Sequence, residues 1–182
     1  MADKKLSIGI DIGSVSINMI AVDQEGTIVA RRPYLRHFGR FLEQLPLEYE
    51  KLLEELGPDR IDIVALTGTH GRTIASALDL PHEIETTAAI LGLGSLAPEL
   101  RSIVSIGGFD SAYFTLQEGV DGRPILTNFK LNEACAAGTG SFIDQQAERI
   151  FADDEEFWEV EDQQERIDSI LNKFIELGMT SD

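Results

Sequence analysis

Apolar and polar positions follow two rhythms along this chain. Leu6–Ile10 is a short apolar run closed by the turn signal Asp11-Ile12-Gly13-Ser14. Val15–Val22 and Thr27–Arg32 read as strands joined by a hairpin at Gln24-Glu25-Gly26. The spacing then becomes helical: Leu45, Tyr49, Leu52, Leu53 and Leu56 fall on one face of a helix over Phe41–Leu56, which Gly57-Pro58 stops. Ile61–Thr67 is a buried-type strand that runs into Thr67-Gly68-Thr69-His70-Gly71. A short helix over Arg72–Leu78 follows, with another over Thr86–Leu96.

A second series starts at Ile103–Ile106. It continues through the turn Gly107-Gly108-Phe109-Asp110-Ser111, a strand over Ala112–Gln117 and the turn Gly119-Val120-Asp121-Gly122. A strand over Ile125–Leu131 and a helix over Phe142–Phe151 complete it. The order repeats the first series: apolar strand, Gly/Asp/Ser hairpin, two strands, helix. Residues 162–177 predict a last amphipathic helix, with Ile167, Ile170, Leu171, Phe174 and Ile175 on one side and Gly178 as its stop. The pattern predicts an α/β protein of two similar lobes.

The repeat gives the turns a chemical meaning. Backbone N–H groups in Gly/Ser-rich turns cradle phosphate oxygens. Two such turns facing each other across a cleft would clamp a polyphosphate, and Asp11 would hold the accompanying Mg²⁺ through oxygen or water ligands.

Composition narrows the partners. The net charge of −17 argues against nonspecific binding to nucleic acid or to an anionic membrane. No apolar run is long enough to span a bilayer, and the first residues lead into a strand with no signal-peptide core. With one cysteine there is no internal disulfide, so a reducing, cytoplasmic location is expected. The acidic stretch from Asp153 to Glu165 reads as a solvated surface or linker, anchored by Phe157 and Trp158.

That one cysteine, Cys135, lies in Asn132-Glu-Ala-Cys-Ala-Ala-Gly-Thr-Gly-Ser-Phe-Ile-Asp144, among small residues just before a helix start. Ser141 is expected to cap that helix. A thiol near a helix N-terminus is biased towards thiolate, which is a metal ligand or a nucleophile. A lone cysteine is also, by composition, a small buried hydrophobe.

Several segments together resemble one family. Gly9-Ile10-Asp11-Ile12-Gly13-Ser14-Val15-Ser16 and Ile106-Gly107-Gly108-Phe109-Asp110-Ser111 resemble the two phosphate motifs of the actin, hexokinase and sugar-kinase superfamily. Asn132–Asp144 resembles the cluster-binding signature of the activators of 2-hydroxyacyl-CoA dehydratases and benzoyl-CoA reductases, the BadF/BadG/BcrA/BcrD ATPases. Tyr34-Leu-Arg-His-Phe-Gly-Arg40 and Thr67-Gly-Thr-His-Gly-Arg72 are similar to segments of its large, multidomain members.

The resemblance implies ribonuclease-H-like lobes: a complete first lobe over 1–100, a partial second lobe over 101–152, and an acidic segment with a terminal helix over 153–182. It implies an ATP-dependent reductive activator, a homodimer sharing one [4Fe–4S] cluster, that passes low-potential electrons to a dehydratase or reductase partner in anaerobic metabolism. Asp11 would then be the catalytic and Mg²⁺-binding acid. Gly13, Ser14 and Ser16 would hold phosphate from one lobe, and Gly107, Gly108, Asp110 and Ser111 from the other. Cys135 would be a cluster ligand, and a hinge would lie near Glu99–Ser102.

The chain departs from the family pattern at Ser105, Phe109 and Ala112, which stand where Asp, Gln and Lys are usual, and in having one cysteine where two are usual. In the superfamily the second lobe continues and carries adenosine-binding glycines, a motif that residues 153–182 do not show, so the chain is expected to be a fragment and, by itself, an incomplete ATPase. The competing expectations are a non-catalytic nucleotide-binding, dimerisation or docking module, and a small-molecule kinase.

Overall fold

The computed structural model describes residues 5–108, 110–119, 122–132, 140–151, 154–157, 160 and 162–180. The chain divides into two compact units, Met1–Ile103 with Phe114–Phe129, and Val104–Tyr113 with Lys130–Asp182.

In the first unit, strands β1 (Leu6–Ile12), β2 (Ser16–Val22), β3 (Ile28–Arg31), β4 (Leu35–Arg36) and β5 (Ile61–Thr67) form one sheet. Its order is β3-β2-β1-β5, with β4 paired to β2. β1 runs antiparallel to β2 and parallel to β5. Alternation along β1 decides which face does what. Leu6, Ile8, Ile10 and Ile12 are buried and pack with Leu45, Tyr49 and Leu52 of helix α1 (Phe41–Leu56) and with Ile74 and Ala75 of α2 (Gly71–Leu78). Ser7, Gly9 and Asp11 point to the other face and are only half-buried. Helix α3 (Glu85–Leu96) completes the run.

The first series thus forms the expected elements, with three differences. Asp11 and Ile12 belong to β1 and not to a turn, because Ile12 is fully buried and both residues keep the ladder, opposite Asn18 and Ile17. β4 is two residues long, too short to leave a pattern, and exists through pairing with Ser16 and Ile17. Pro58–Arg60 forms a 3-10 turn after Gly57, whose φ of 84° ends α1.

The second series forms β6 (Ser102–Ile106), β7 (Ser111–Glu118) and β8 (Pro124–Leu131), a three-stranded sheet in that order. Phe114 of β7 stacks on Phe129 of β8 with ring centroids 5.3 Å apart. Helices α4 (Gly140–Ile150) and α5 (Gln163–Thr180) follow. Their shared core is Ala147, Phe151, Phe157 and Ile170.

Three expectations change in this part. α5 passes through Gly178 to Thr180, since Gly178 lacks the positive φ of a helix stop. α4 starts at Gly140, so Ser141 lies inside its first turn and not at the position that precedes the helix. The acidic stretch is more than a solvated linker. Lys173 Nζ of α5 pairs with Asp154 Oδ2 at 2.8 Å and Glu156 Oε2 at 3.0 Å. The same ammonium lies about 5 Å over the rings of Phe151 and Phe157. Phe157, 4% exposed, anchors the segment as expected; Trp158 lies outside the described residues.

Candidate functional site: two glycine turns

The first turn joins β1 to β2. Gly13 N–H donates to Ser16 O at 3.0 Å, closing a tight loop around Ser14 and Val15. Asp11 stands two residues before it on the open face of the sheet. Its Oδ2 accepts a 3.4 Å bond from Asn18 Nδ2, and Asn18 also reaches Ser16 Oγ at 3.5 Å. Asp11 Oδ1 is buried with no hydrogen-bond partner, and so is Thr67 Oγ1 on the adjacent strand, its register neighbour. Both residues line a groove of about 290 Å³ with Gly9, Asn18, Ala65 and Glu83. Burial pushes the Asp11 carboxyl above the ordinary aspartate range, and the Asn18 bond only partly opposes this.

Gly68 follows β5 and lies against the end of β1. With φ of +88° it lies so near that a Cβ would strike the Asp11 carboxylate and sit 2.5 Å from Ile12 O. Only glycine allows that approach.

The second turn has the same offset from its strand. Gly107 follows Ser105 as Gly13 follows Asp11, and Gly107 N–H donates to Asp110 O at 2.7 Å. The Asp110 carboxylate folds over Gly107. Ser111 N–H donates to Asn132 Oδ1, and Asn132 N–H to Ser111 O, both at 3.0 Å. Gly140 N–H donates to Gly107 O at 2.8 Å. The segment that carries Cys135 is therefore fastened at both ends, Asn132 and Gly140, to the second turn. Cys135 itself and Phe109 lie outside the described residues.

Asp11, Gly13, Ser14 and Ser16 thus come together in one unit, and Gly107, Gly108, Asp110 and Ser111 in the other. Sequence reasoning missed Asn18, Thr67 and Asn132. Asn18 carried a signal: it is the polar position of β2 whose hairpin register places it opposite Asp11.

Mg²⁺ prefers hard oxygen donors, and a buried carboxylate oxygen without a partner beside an unpartnered hydroxyl fits it. A four-iron cluster needs four thiolates or equivalents, and a chain with one cysteine does not supply them. Among the described residues no group of three or more His, Cys, Asp or Glu is placed to hold a metal.

A three-strand antiparallel meander with a parallel fifth strand, a Gly/Ser turn after β1 and an acid before it define a ribonuclease-H-like α/β fold of the actin and sugar-kinase type. The chain belongs to the BadF/BadG/BcrA/BcrD ATPase family, whose model matches residues 8–175. It is 35% identical over 149 residues to the 2-hydroxyisocaproyl-CoA dehydratase activator of Clostridioides difficile, covering 81% of this chain and 53% of that protein. The solved structure of the activator of the 2-hydroxyisocaproyl-CoA dehydratase from Clostridium difficile with bound ADPNP superposes with a TM-score of 0.67 at 27% identity, over 96% of this chain and 66% of that one. Component A of the Acidaminococcus fermentans (R)-2-hydroxyglutaryl-CoA dehydratase gives 0.68 at 20% identity, over 98% and 70%. The chain spans about half the length of the curated relatives it matches.

Proposed function

We propose that this chain is the nucleotide-binding part of an ATP-dependent activator of a CoA-thioester dehydratase or reductase. Membership of the ATPase family and the ADPNP bound to a related activator support the nucleotide. The observation that carries the reading is Asp11: a carboxylate oxygen buried without a partner, two residues before the glycine of a phosphate-type loop. Asp11, with Thr67 beside it, would hold Mg²⁺. Gly13, Ser14 and Ser16 would face phosphate. Gly107, Gly108, Asp110 and Ser111 form the second candidate phosphate contact.

A bound cation would neutralise the Asp11 carboxylate and reverse its upward shift. Asn18 then orients the carboxylate, and Gly68 keeps the space around it clear of side-chain atoms. A change at the second turn would be felt by α4 directly, through Gly140 and Gly107.

The family resemblance also suggests low-potential electron transfer through an iron–sulfur cluster at Cys135. A homodimer of this chain would offer two thiolates, and a four-iron cluster would take its remaining ligands from outside the chain. Ser105, at the position of the second turn equivalent to Asp11, favours a second reading: a nucleotide-binding or docking module without turnover.

Anaerobically prepared protein, mixed with ATP, a reductant and a purified 2-hydroxyacyl-CoA dehydratase, separates the two. Onset of dehydration, with iron–sulfur absorption in the visible range, is expected of an activator. A colourless protein that binds Mg·ATP and activates nothing supports the module.

A further inference from the structure

A histidine grips the first turn from the loop after β4. His37 is only 2% exposed. Its backbone N–H donates to Val15 O at 3.0 Å. Its Nε2 lies 3.1 Å from Gly13 O, and Gly39 N–H donates to its Nδ1 at 3.0 Å. An amide N–H only donates and a carbonyl only accepts. Both ring bonds therefore form together only in the neutral tautomer with its proton on Nε2.

The ring is held in place from its sides. Phe41 and His70 meet it edge-on, with centroids 5.4 and 5.9 Å away, and stack on each other at 4.3 Å. His70 N–H takes Ile12 O at 2.9 Å. The carbonyls of Ile12, Gly13 and Val15 are thus all engaged by two histidines from different loops. The amides of Ser14 and Val15 have no acceptor among the described residues.

The backbone beside His37 is strained for this grip. Arg40 N–H donates to His37 O at 2.7 Å across Phe38 and Gly39, which have φ of 45° and 79°. A positive φ is an outlier for a phenylalanine, and such outliers persist where the surroundings over-determine them.

We propose that His37 is a positioning residue of the first phosphate turn. It holds the turn's carbonyls away from an incoming anion and leaves the Ser14 and Val15 amides free to donate to nucleotide phosphate. The inference rests on the reading of this turn as a nucleotide site. It assigns one task to two segments, Tyr34–Arg40 and Thr67–Arg72, that the phosphate motifs leave unexplained.

The test compares His37→Leu, which fills the space without a donor, with His37→Gln, which keeps one. The affinity of the full chain for Mg·ADPNP is measured by calorimetry well below each melting temperature. The Leu variant is expected to bind roughly tenfold more weakly or worse, and the Gln variant to recover most of the loss. A merely structural histidine would lower melting temperature and leave Kd unchanged, and equal Kd values for His37→Leu and wild type overturn the inference. Should His37→Leu not fold, His37→Asn, too short to reach Gly13, takes its place with the same two outcomes. A wild-type chain that does not bind Mg·ADPNP overturns the phosphate reading, and this inference with it.

Discussion

The two glycine turns share a backbone and differ in everything attached to it. Each places a glycine two residues after a strand position that could carry an acid, and each glycine N–H donates to the carbonyl three residues on. At the first turn the acid is present, with one carboxylate oxygen buried and without a partner, and the loop carbonyls are fixed by His37 and His70. At the second turn a serine stands at that position, and the glycine carbonyl is taken by the first amide of α4. On the proposed reading the first turn would hold a cation and an anion, whereas the second turn is tied by its glycine carbonyl to the start of a helix. Repetition of a fold need not repeat its chemistry.

The comparison is tested hardest at its glycines. Gly68→Ala places a Cβ on the Asp11 carboxylate and the Ile12 carbonyl at a positive φ, neither of which can move away cheaply. A loss on the order of 3 kcal/mol is expected from the urea midpoint. Gly107→Ala meets the tip of an exposed Asp110 side chain, which can swing aside, and Asp110 O at 3.1 Å. A loss of about 1 kcal/mol is expected there. Equal losses would mean that the first turn is no tighter than the second.

The Asp11 carboxyl sharpens the contrast through pH. Burial raises its pKa, so the folded chain holds that proton more tightly than the unfolded chain does. Stability is then lost as pH rises from the ordinary aspartate range through the raised value, and the loss persists at neutral pH. Without divalent cation, Asp11→Asn is expected to melt higher than wild type at neutral pH, with the gap closing in acid below both values. A gap that is independent of pH would show that the carboxylate is not the strained group.

A smaller effect is expected at Lys173, away from both turns. Lys173→Met keeps the aliphatic stem over Phe151 and Phe157 but removes the charge that Asp154 and Glu156 share. The Lys173 bond holds the Asp154 carboxyl below its ordinary value, and bonds to Asp154 and Glu156 hold the Lys173 ammonium above its own. The stabilisation is present above the ordinary carboxylate range and below the ordinary lysine range, and is lost beyond either end. Thermal melts of wild type and Lys173→Met are expected to differ at neutral pH and to converge at both extremes.

Much of this architecture was legible in the residues. Leu45, Tyr49, Leu52 and Leu56 mark α1 to its observed ends, because a helix that buries one stripe leaves that stripe in its sequence. Pro46 lies within the helix and left the reading of its ends intact. The turn signal at Asp11–Ser14 misplaced Asp11 by reading local chemistry alone, whereas the burial of Ile12 and pairing with Asn18 and Thr67 extend the strand. Gly178 misled in the same way, since a glycine ends a helix only where the backbone turns left-handed. The site was legible as motifs and not as contacts. Nothing in the order of residues says that His37 reaches Gly13 across 24 positions, or that Gly68 lies against Asp11. Those contacts depend on how β1, β2, β4 and β5 meet.

The central claim is that Asp11 is the cation-holding acid of a nucleotide site at the first turn. Calorimetric titration of ADPNP into the wild-type chain and into Asp11→Asn, each with Mg²⁺ and with EDTA, tests it directly. Wild type is expected to bind at least tenfold more tightly with Mg²⁺ than with EDTA, and Asp11→Asn to lose that difference. An Asp11→Asn variant with the same Mg²⁺ dependence as wild type would contradict the account.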